Sequence, residues 1–390
     1  MCDRGFGYRS MTSGSIAQLR EHLQRNKIAG IAVILSIAVW AGLAAAQTRG
    51  GDQEWQEVIN GAKKDGRVVV AGSPDPVMRN DVIPKFTSRY GIPIEFIAGR
   101  SSEIAARVGT ERASGIYSID LYLAGQDTSA NELYKNKKID PLRPLLVMPE
   151  VTDGSKWKMG KVWFVDPQEQ FIVRAFSSVA TLLFINTEHV KAEEMRHIKD
   201  LLNQKWRGKI STEDPTSIGA GSNKATLFYA QLGEEFVRNL YIDQKAVRSR
   251  DRRQMTDWLA RGTQPICLEC REDDVRPLLK DGFKLLEIFD LNGIPPTING
   301  SPWMLSLANK APHPKAAQLF ANWILSKEGL ETYSRGYGSV ALRTDIDESF
   351  LNPGNLPKKE VKYFDDSEWK WVVGGRYEMR EKMWKVLKAR

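Results

Sequence analysis

Cysteine is almost missing from this chain of 390 residues: Cys2, Cys267 and Cys270 are its only thiols. That is too few for the disulfide-dense scaffolds on which small secreted domains rely, so packing must supply the stability. Histidine is equally thin. His189, His197 and His313 stand far apart, and neither a Ser/His/Asp arrangement nor a His pair that could complete a metal site with Cys267 and Cys270 is visible. No long block of lysines and arginines occurs, so nucleic-acid binding is not indicated. No short repeat of fixed period is present, which argues against a solenoid. What remains is 42% hydrophobic and 27% charged, an ordinary globular composition in a chain long enough for two cored lobes.

The one long apolar run lies near the start. Arg25 and Lys27 precede residues 28–43, which end in Ala44-Ala45-Ala46. A basic segment, an apolar stretch and small residues at the last and third-last positions describe a secretory signal, with cleavage expected after Ala46 and a periplasmic destination. The competing reading is a retained anchor, since the run is nearly as long as the ~20 residues that span a bilayer. No Cys follows the run and no Arg-Arg pair precedes it, so neither lipid anchoring nor twin-arginine export is supported. Residues 1–24 exceed what such a segment needs, and Met11 or a later start is an alternative. Removing residues 1–46 takes away five cations (Arg4, Arg9, Arg20, Arg25, Lys27) and two anions (Asp3, Glu21), which lowers the formal charge from +8 to +5.

From Trp55 onward strand-like and helical runs alternate, the pattern of α/β lobes with largely parallel sheets. Val68-Val69-Val70-Ala71 reads as a buried strand ending in the turn Gly72-Ser73-Pro74. Residues 77–90 follow at helical spacing with Pro84 forcing a break or a late start. Residues 93–98 and 119–123 read as strands and 101–113 as a helix. A second block opens at residues 181–186 and continues with helices expected over 198–206, 223–240, 254–260 and 273–279 and strands over 265–268 and 284–289. Residues 303–308 then form a strand before a helix that begins at His313-Pro314. The expected division is a signal and extension over 1–46, a first lobe over 47–180, a second over 181–302, a return to the first over 303–346, and a wrapping tail over 347–390. Chain crossings at both ends of the second block imply a hinge, near residues 181–185 and 303–307, with a ligand cleft at the strand ends.

The stretch 308–329, reading A-N-K-A-P-H-P-K-A-A-Q-L-F-A-N-W-I-L-S-K-E-G, resembles the signature of family 1 extracellular solute-binding proteins, and more narrowly of their ferric-type branch. Trp206-Arg207-Gly208-Lys209-Ile210 and Gly99-Arg100-Ser101-Ser102-Glu103 are weaker matches to the same family. The resemblance covers roughly residues 55–345. It implies an α/β, two-lobed periplasmic-binding fold of type II with a hinge between lobes, capture of a small solute, and delivery to an ABC permease driven by an ATPase. It implies neither catalysis nor a cofactor. Many ferric-type members hold iron with adjacent tyrosines, because phenolate is a hard ligand for a hard cation. No Tyr-Tyr pair exists here, so an anion is the favoured solute, with iron left open.

Candidate solute contacts lie in loops at strand ends. They are Ser73 after the first strand, Arg100, Ser101 and Ser102 at one helix start, Gly221, Ser222 and Asn223 at another, and Arg250 as one of the run Arg248, Arg250 and Arg252. Helix starts present free N–H groups and partial positive charge to an anion, and glycine permits close backbone approach. The plain alternatives are an N-cap at Ser101, a flexible turn at 219–223, and solvated arginines. Cys267 and Cys270 carry C-x-x-C spacing, which permits an exported thiol oxidoreductase, although a buried structural role is favoured. A membrane-anchored ligand sensor is the third reading.

Overall fold

The computed structural model describes residues 53–388. The leader and its cleavage site fall outside the described residues. From Val58 onward the chain forms one compact unit.

Three parallel strands open the first sheet: β1 (Val68–Gly72), β2 (Ile94–Ala98) and β3 (Leu121–Ala124), with Val70 facing Phe96 on one side and Leu121 on the other. Every residue of β1 is buried, as a run of β-branched residues covered on both faces requires. Across the second crossing, β14 (Met304–Ala308) lies antiparallel to β3, and the short strands β4 (Ile139–Asp140), β5 (Trp163–Phe164) and β6 (Ile172–Arg174) complete seven strands. Helix Pro314–Leu325 covers this sheet, with Pro314 in its first turn and ten buried residues. Phe320 and Trp323 meet Phe86 edge-on, each at 5.2 Å between ring centroids. The expected break at Pro84 is a wide helical turn over Met78–Val82 that runs into helix Ile83–Tyr90, closed by Gly91 at φ 71°.

The second lobe carries a five-stranded sheet in the order β10 (Val247–Ser249), β9 (Ile210–Glu213), β11 (Ile266–Cys267), β8 (Leu183–Asn186), β12 (Leu285–Ile288). Its longest helix, Ala220–Arg238, starts three residues earlier than the sequence spacing indicates and is kinked at Gly233, whose φ of 84° glycine adopts most readily. The expected helix over 198–206 is instead two short tight turns, Ile198–Leu202 and Gln204–Trp206, each N-capped by a side chain, His197 and Asn203. Local capping wins there over a continued spiral.

The lobes are joined differently from the expectation. The segments at 183–186 and 304–308 are inner strands of the two sheets, while the crossings are a separate small sheet of β7 (Ser178–Val179), β13 (Thr297–Asn299) and β15 (Phe364–Asp365). The tail therefore supplies a third crossing strand. It then ends in helix Arg376–Lys388, which packs along Ala220–Arg238 and buries Met383 and Leu387 in the second lobe's core.

Cys267 and Cys270 are joined in a disulfide. At 0% and 7% exposure they sit in an apolar cluster with Phe184, Met255 and Val275, which is the environment of a structural bridge rather than of an attacking thiolate. Titration of the chain cleaved after residue 46, denatured without reductant, should find no free thiol. Replacing both cysteines by alanine should lower stability by about 2 kcal/mol, the loop-closure value for so short a loop; two free thiols per chain would contradict the bridge.

Glu287 on β12 ties the second lobe to a crossing and to the tail. Thr181 donates to one carboxyl oxygen at 2.5 Å and Asn352 to the other at 3.0 Å. Burial raises this acid from its ordinary 4.5 to about 6. A raised acid favours folding below its unfolded value and loses that contribution as pH rises through the folded one. The melting temperature should therefore fall between pH about 4.5 and about 6 through this group. Glu287→Gln, which keeps a side chain able to bond Thr181 and Asn352, should flatten that slope in thermal melts across the window; an unchanged slope would contradict the assignment.

Candidate ligand-binding cleft

A cavity of about 880 Å³ opens between the carboxyl end of β1 and the turn after β11, with the crossing strands at its base. On the first lobe, β1 ends in Gly72 and Ser73, and a Cβ at residue 72 would come 3.0 Å from the Leu123 carbonyl. The turn is secured by Asp75, which accepts the Val77 N–H at 2.9 Å and the Tyr333 hydroxyl. Burial raises the Asp75 carboxyl above its ordinary value. Behind it an aromatic stack stiffens the wall: Trp303 lies edge-on to Phe176 at 5.0 Å and to Tyr333 at 5.3 Å, and Tyr337 follows one helical turn on.

Among the described residues, the cations that line the cleft all stand on the second wall: Lys224, Arg252, Arg271 and Arg276. Lys224 reaches back to the carbonyls of Thr181, Leu182 and Leu268. Burial pushes its ammonium down and pushes Glu269 up, each opposed by the other's charge. The three arginines are held by the first turn of helix Glu272–Lys280. Arg271 pairs with Asp273 at 2.9 Å, Arg252 with Asp274 at 2.5 Å and Arg276 with Glu272 at 2.7 Å, all with guanidinium groups more than two-fifths exposed. Such exposed pairs are worth ~0–1 kcal/mol, so a solute anion can replace a resident carboxylate at little cost.

Of the residues singled out from sequence, Ser73 and Asn223 line this cleft, one on each wall. Asn223 also accepts from Arg380 of the tail helix at 2.9 Å. Gly221 and Ser222 are buried beneath the wall. The Gly221 N–H is taken by Glu213 at 2.9 Å, and a Cβ there would fall 2.2 Å from the Glu213 carbonyl, so this glycine serves helix-on-strand packing. Arg100 caps helix Ser101–Ala113 with its N–H bound by Glu103 at 2.8 Å. Arg100 is not among the described residues lining the cleft. At both helix starts a carboxylate of the chain already occupies a free N–H.

Arg250 is 76% exposed and lies in a separate small depression, bound to Asp214 at 3.0 Å and to Ser217 at 2.7 Å. Burial works against the charge of Asp214, but hydrogen bonds from Thr216, Arg250 and Ser217 outweigh it and hold that carboxyl well below the usual range.

Lys224, Glu269 and Arg271 escaped the sequence reading. A signal existed for two of them: Glu269 is a lone charge between two cysteines after a strand, and Lys224 precedes the buried run Ala225-Thr226-Leu227-Phe228. Among the described residues no group of three or more His, Cys, Asp or Glu side chains could hold a metal ion, and no helix there is long and apolar enough to cross a membrane.

Residues 67–338 match the family described as bacterial extracellular solute-binding protein. Among solved structures, the chain is similar to the Trichodesmium protein IdiA/FutA in complex with iron and citrate (14% identity, TM-score 0.59, 83% of this chain and 99% of that one). It is similar also to AfuA of Actinobacillus pleuropneumoniae with fructose-6-phosphate bound (17%, 0.58, 82% and 98%) and to iron-bound HitA of Pseudomonas aeruginosa (15%, 0.59, 82% and 99%). These likenesses establish the two-lobed periplasmic-binding fold. The family is one of transport proteins, not an enzyme class, and the thiol oxidoreductase reading is not favoured. With its cleft between two α/β walls, this chain belongs to the bacterial extracellular solute-binding proteins and is the substrate-binding component of an ABC transporter.

Proposed function

We propose that the solute is a small organic anion, gripped by Ser73 on the first wall and by Asn223 and Arg271 on the second, and handed on to the permease. The observation that carries this reading is the placement of all four cleft cations on one wall, three of them in exposed pairs that a solute can enter. Arg271 has the best position, at the start of helix Glu272–Lys280 and beside Tyr337 on the opposite wall. A solute bound there touches both lobes and so favours whichever arrangement brings them together. The similar proteins point the same way, since citrate and fructose-6-phosphate are both organic anions. Gly221 and Ser222 are left out of the proposed site because they are buried beneath the wall, and Arg100 and Arg250 because they lie away from the cleft; the side chains of Ser101 and Ser102 fall outside the described ones.

Thermal-shift screening with organic acids, sugar phosphates, phosphonates and metal ions should select anions, because a ligand that binds only the folded state raises the melting temperature. A charge-assisted hydrogen bond contributes ~1.5–3 kcal/mol, so in calorimetry Arg271→Ala should weaken the selected solute about 10- to 150-fold. Arg100→Ala should change it by less than about twofold. The reverse ranking would move the anion to the start of helix Ser101–Ala113, and selection of metal or cationic solutes alone would overturn the reading.

We also propose export on the leader at residues 25–46. N-terminal sequencing of the exported protein should begin at Gln47, and recovery of the uncleaved chain in membranes would favour the anchored alternative.

A further inference from the structure

Helix Arg376–Lys388 of the tail carries two buried arginines one turn apart, and only one of them has a counter-ion. Arg376, 4% exposed, donates to the Asp366 carboxylate at 2.5 Å. Arg380, 6% exposed, has no carboxylate partner among the described residues. Its Nε is shielded and unbonded, its guanidinium lies 5.3 Å from the centre of the Tyr377 ring, and one terminal nitrogen donates to Asn223 Oδ1 at 2.9 Å. Further along the same helical face Met383 and Leu387 enter the second lobe's core, so Arg380 occupies a position where the spacing would place an apolar side chain. A buried cation held by a neutral amide is costly, and packing alone does not call for it. Asn223, in contrast, is exposed and lines the cleft. A guanidinium has donors and no acceptor, so the amide atom that meets Arg380 is the oxygen. The Asn223 NH2 is then the end left for the cleft, and a cation bonded to the amide oxygen makes that NH2 a stronger donor.

We propose that Arg380 is a positioning residue for solute capture: it locks the Asn223 amide so that N–H groups, and not the carbonyl oxygen, are offered to the solute. This point of the cleft then takes a carboxylate or phosphate oxygen and rejects an ammonium, which has donors alone. Arg380 lies beyond residues 67–338, which match the family, so the tail, besides closing the fold, sets the polarity of a cleft contact. The inference rests on the anion-capture reading and adds the residue that orients one of its contacts.

The test is calorimetry with citrate, fructose 6-phosphate and inorganic phosphate, taking as probe whichever of the three the unaltered protein binds most tightly, and with the melting temperature of each variant as the check on its fold. Asn223→Ala should weaken the probe about tenfold, the loss of one hydrogen bond to a charged group. Asn223→Asp, which still accepts from Arg380 but has no N–H to give, should weaken it by at least as much. Arg380→Met should cost about fivefold in the unaltered background and less than about twofold when Asn223 is already alanine, because its effect passes through the amide; an arginine that merely supports the fold would cost the same in both. Arg380→Lys, which keeps the charge and the donors, should recover most of the affinity. An equal loss from Arg380→Met in both backgrounds, or unchanged affinity in Arg380→Met, Asn223→Ala or Asn223→Asp, overturns the positioning role while anion capture stands. Asn223→Asp, which leaves Arg380 in place, decides alone if Arg380→Met does not fold. If none of the three anions binds, the anion reading and this inference fall together.

Discussion

Arg174 is the charge on which the joining of the two lobes depends. Fully buried at the end of β6, its guanidinium donates from Nε to the Phe176 carbonyl at 2.9 Å, from one terminal nitrogen to both oxygens of Asp365 at 2.9 and 2.7 Å, and from the other to Ser177 at 3.0 Å. It lies over the Trp163 ring at 4.4 Å, and a Cβ at Gly300 would come within 3.2 Å of it. The first crossing (Ser177), the second (Gly300) and the tail's β15 (Asp365) are therefore referred to one side chain. Burial opposes its charge and outweighs the support of Asp365, so the guanidinium is held below its ordinary value. Removing one partner of such a pair typically costs about 3–5 kcal/mol, because the other is left buried and unpaired. A tail that supplies this counter-ion is part of the fold.

From that junction the chemistry of the cleft follows. The short crossings set the base, β1 brings Ser73 to one side, and β11 brings the bridged turn with Glu269 and Arg271 to the other. Charge is divided unequally: the cations stand on the second wall, while Asp75 and the aromatic stack stand on the first. The helix starts, which general principle makes anion sites, are here closed by Glu103 and Glu213. The proposed recognition rests instead on side chains whose present ion pairs are exposed and weak.

The sequence carried the architecture well where the signal was local. The valine run of β1, the late helix start at Pro84, helix Ser101–Ala113 and the proline-led helix at Pro314 each depend on neighbouring residues, and each is found within a residue or two of its expected place. The crossing strands were not legible because β7 and β13 are two and three residues long, too short to show a period, and because the third strand comes from a tail with no apolar alternation. The site was legible only in part. Ser73 and Asn223 lie at strand and helix ends, which order along the chain reveals. Glu269 and Lys224 carry local signals of burial, but that both line one cleft depends on the pairing of β8 with β11 and on the packing of helix Ala220–Arg238, contacts between distant segments that no local pattern encodes.

The central claim is that one solute touches both walls at once. Hydrogen exchange of the exported protein, with and without a saturating organic anion chosen by its thermal shift, tests it directly. The account predicts slowed exchange both in the turn after β1, residues 72–78, and in the bridged turn after β11, residues 268–272. Protection confined to one of these, or centred on the depression around Asp214 and Arg250, would contradict it.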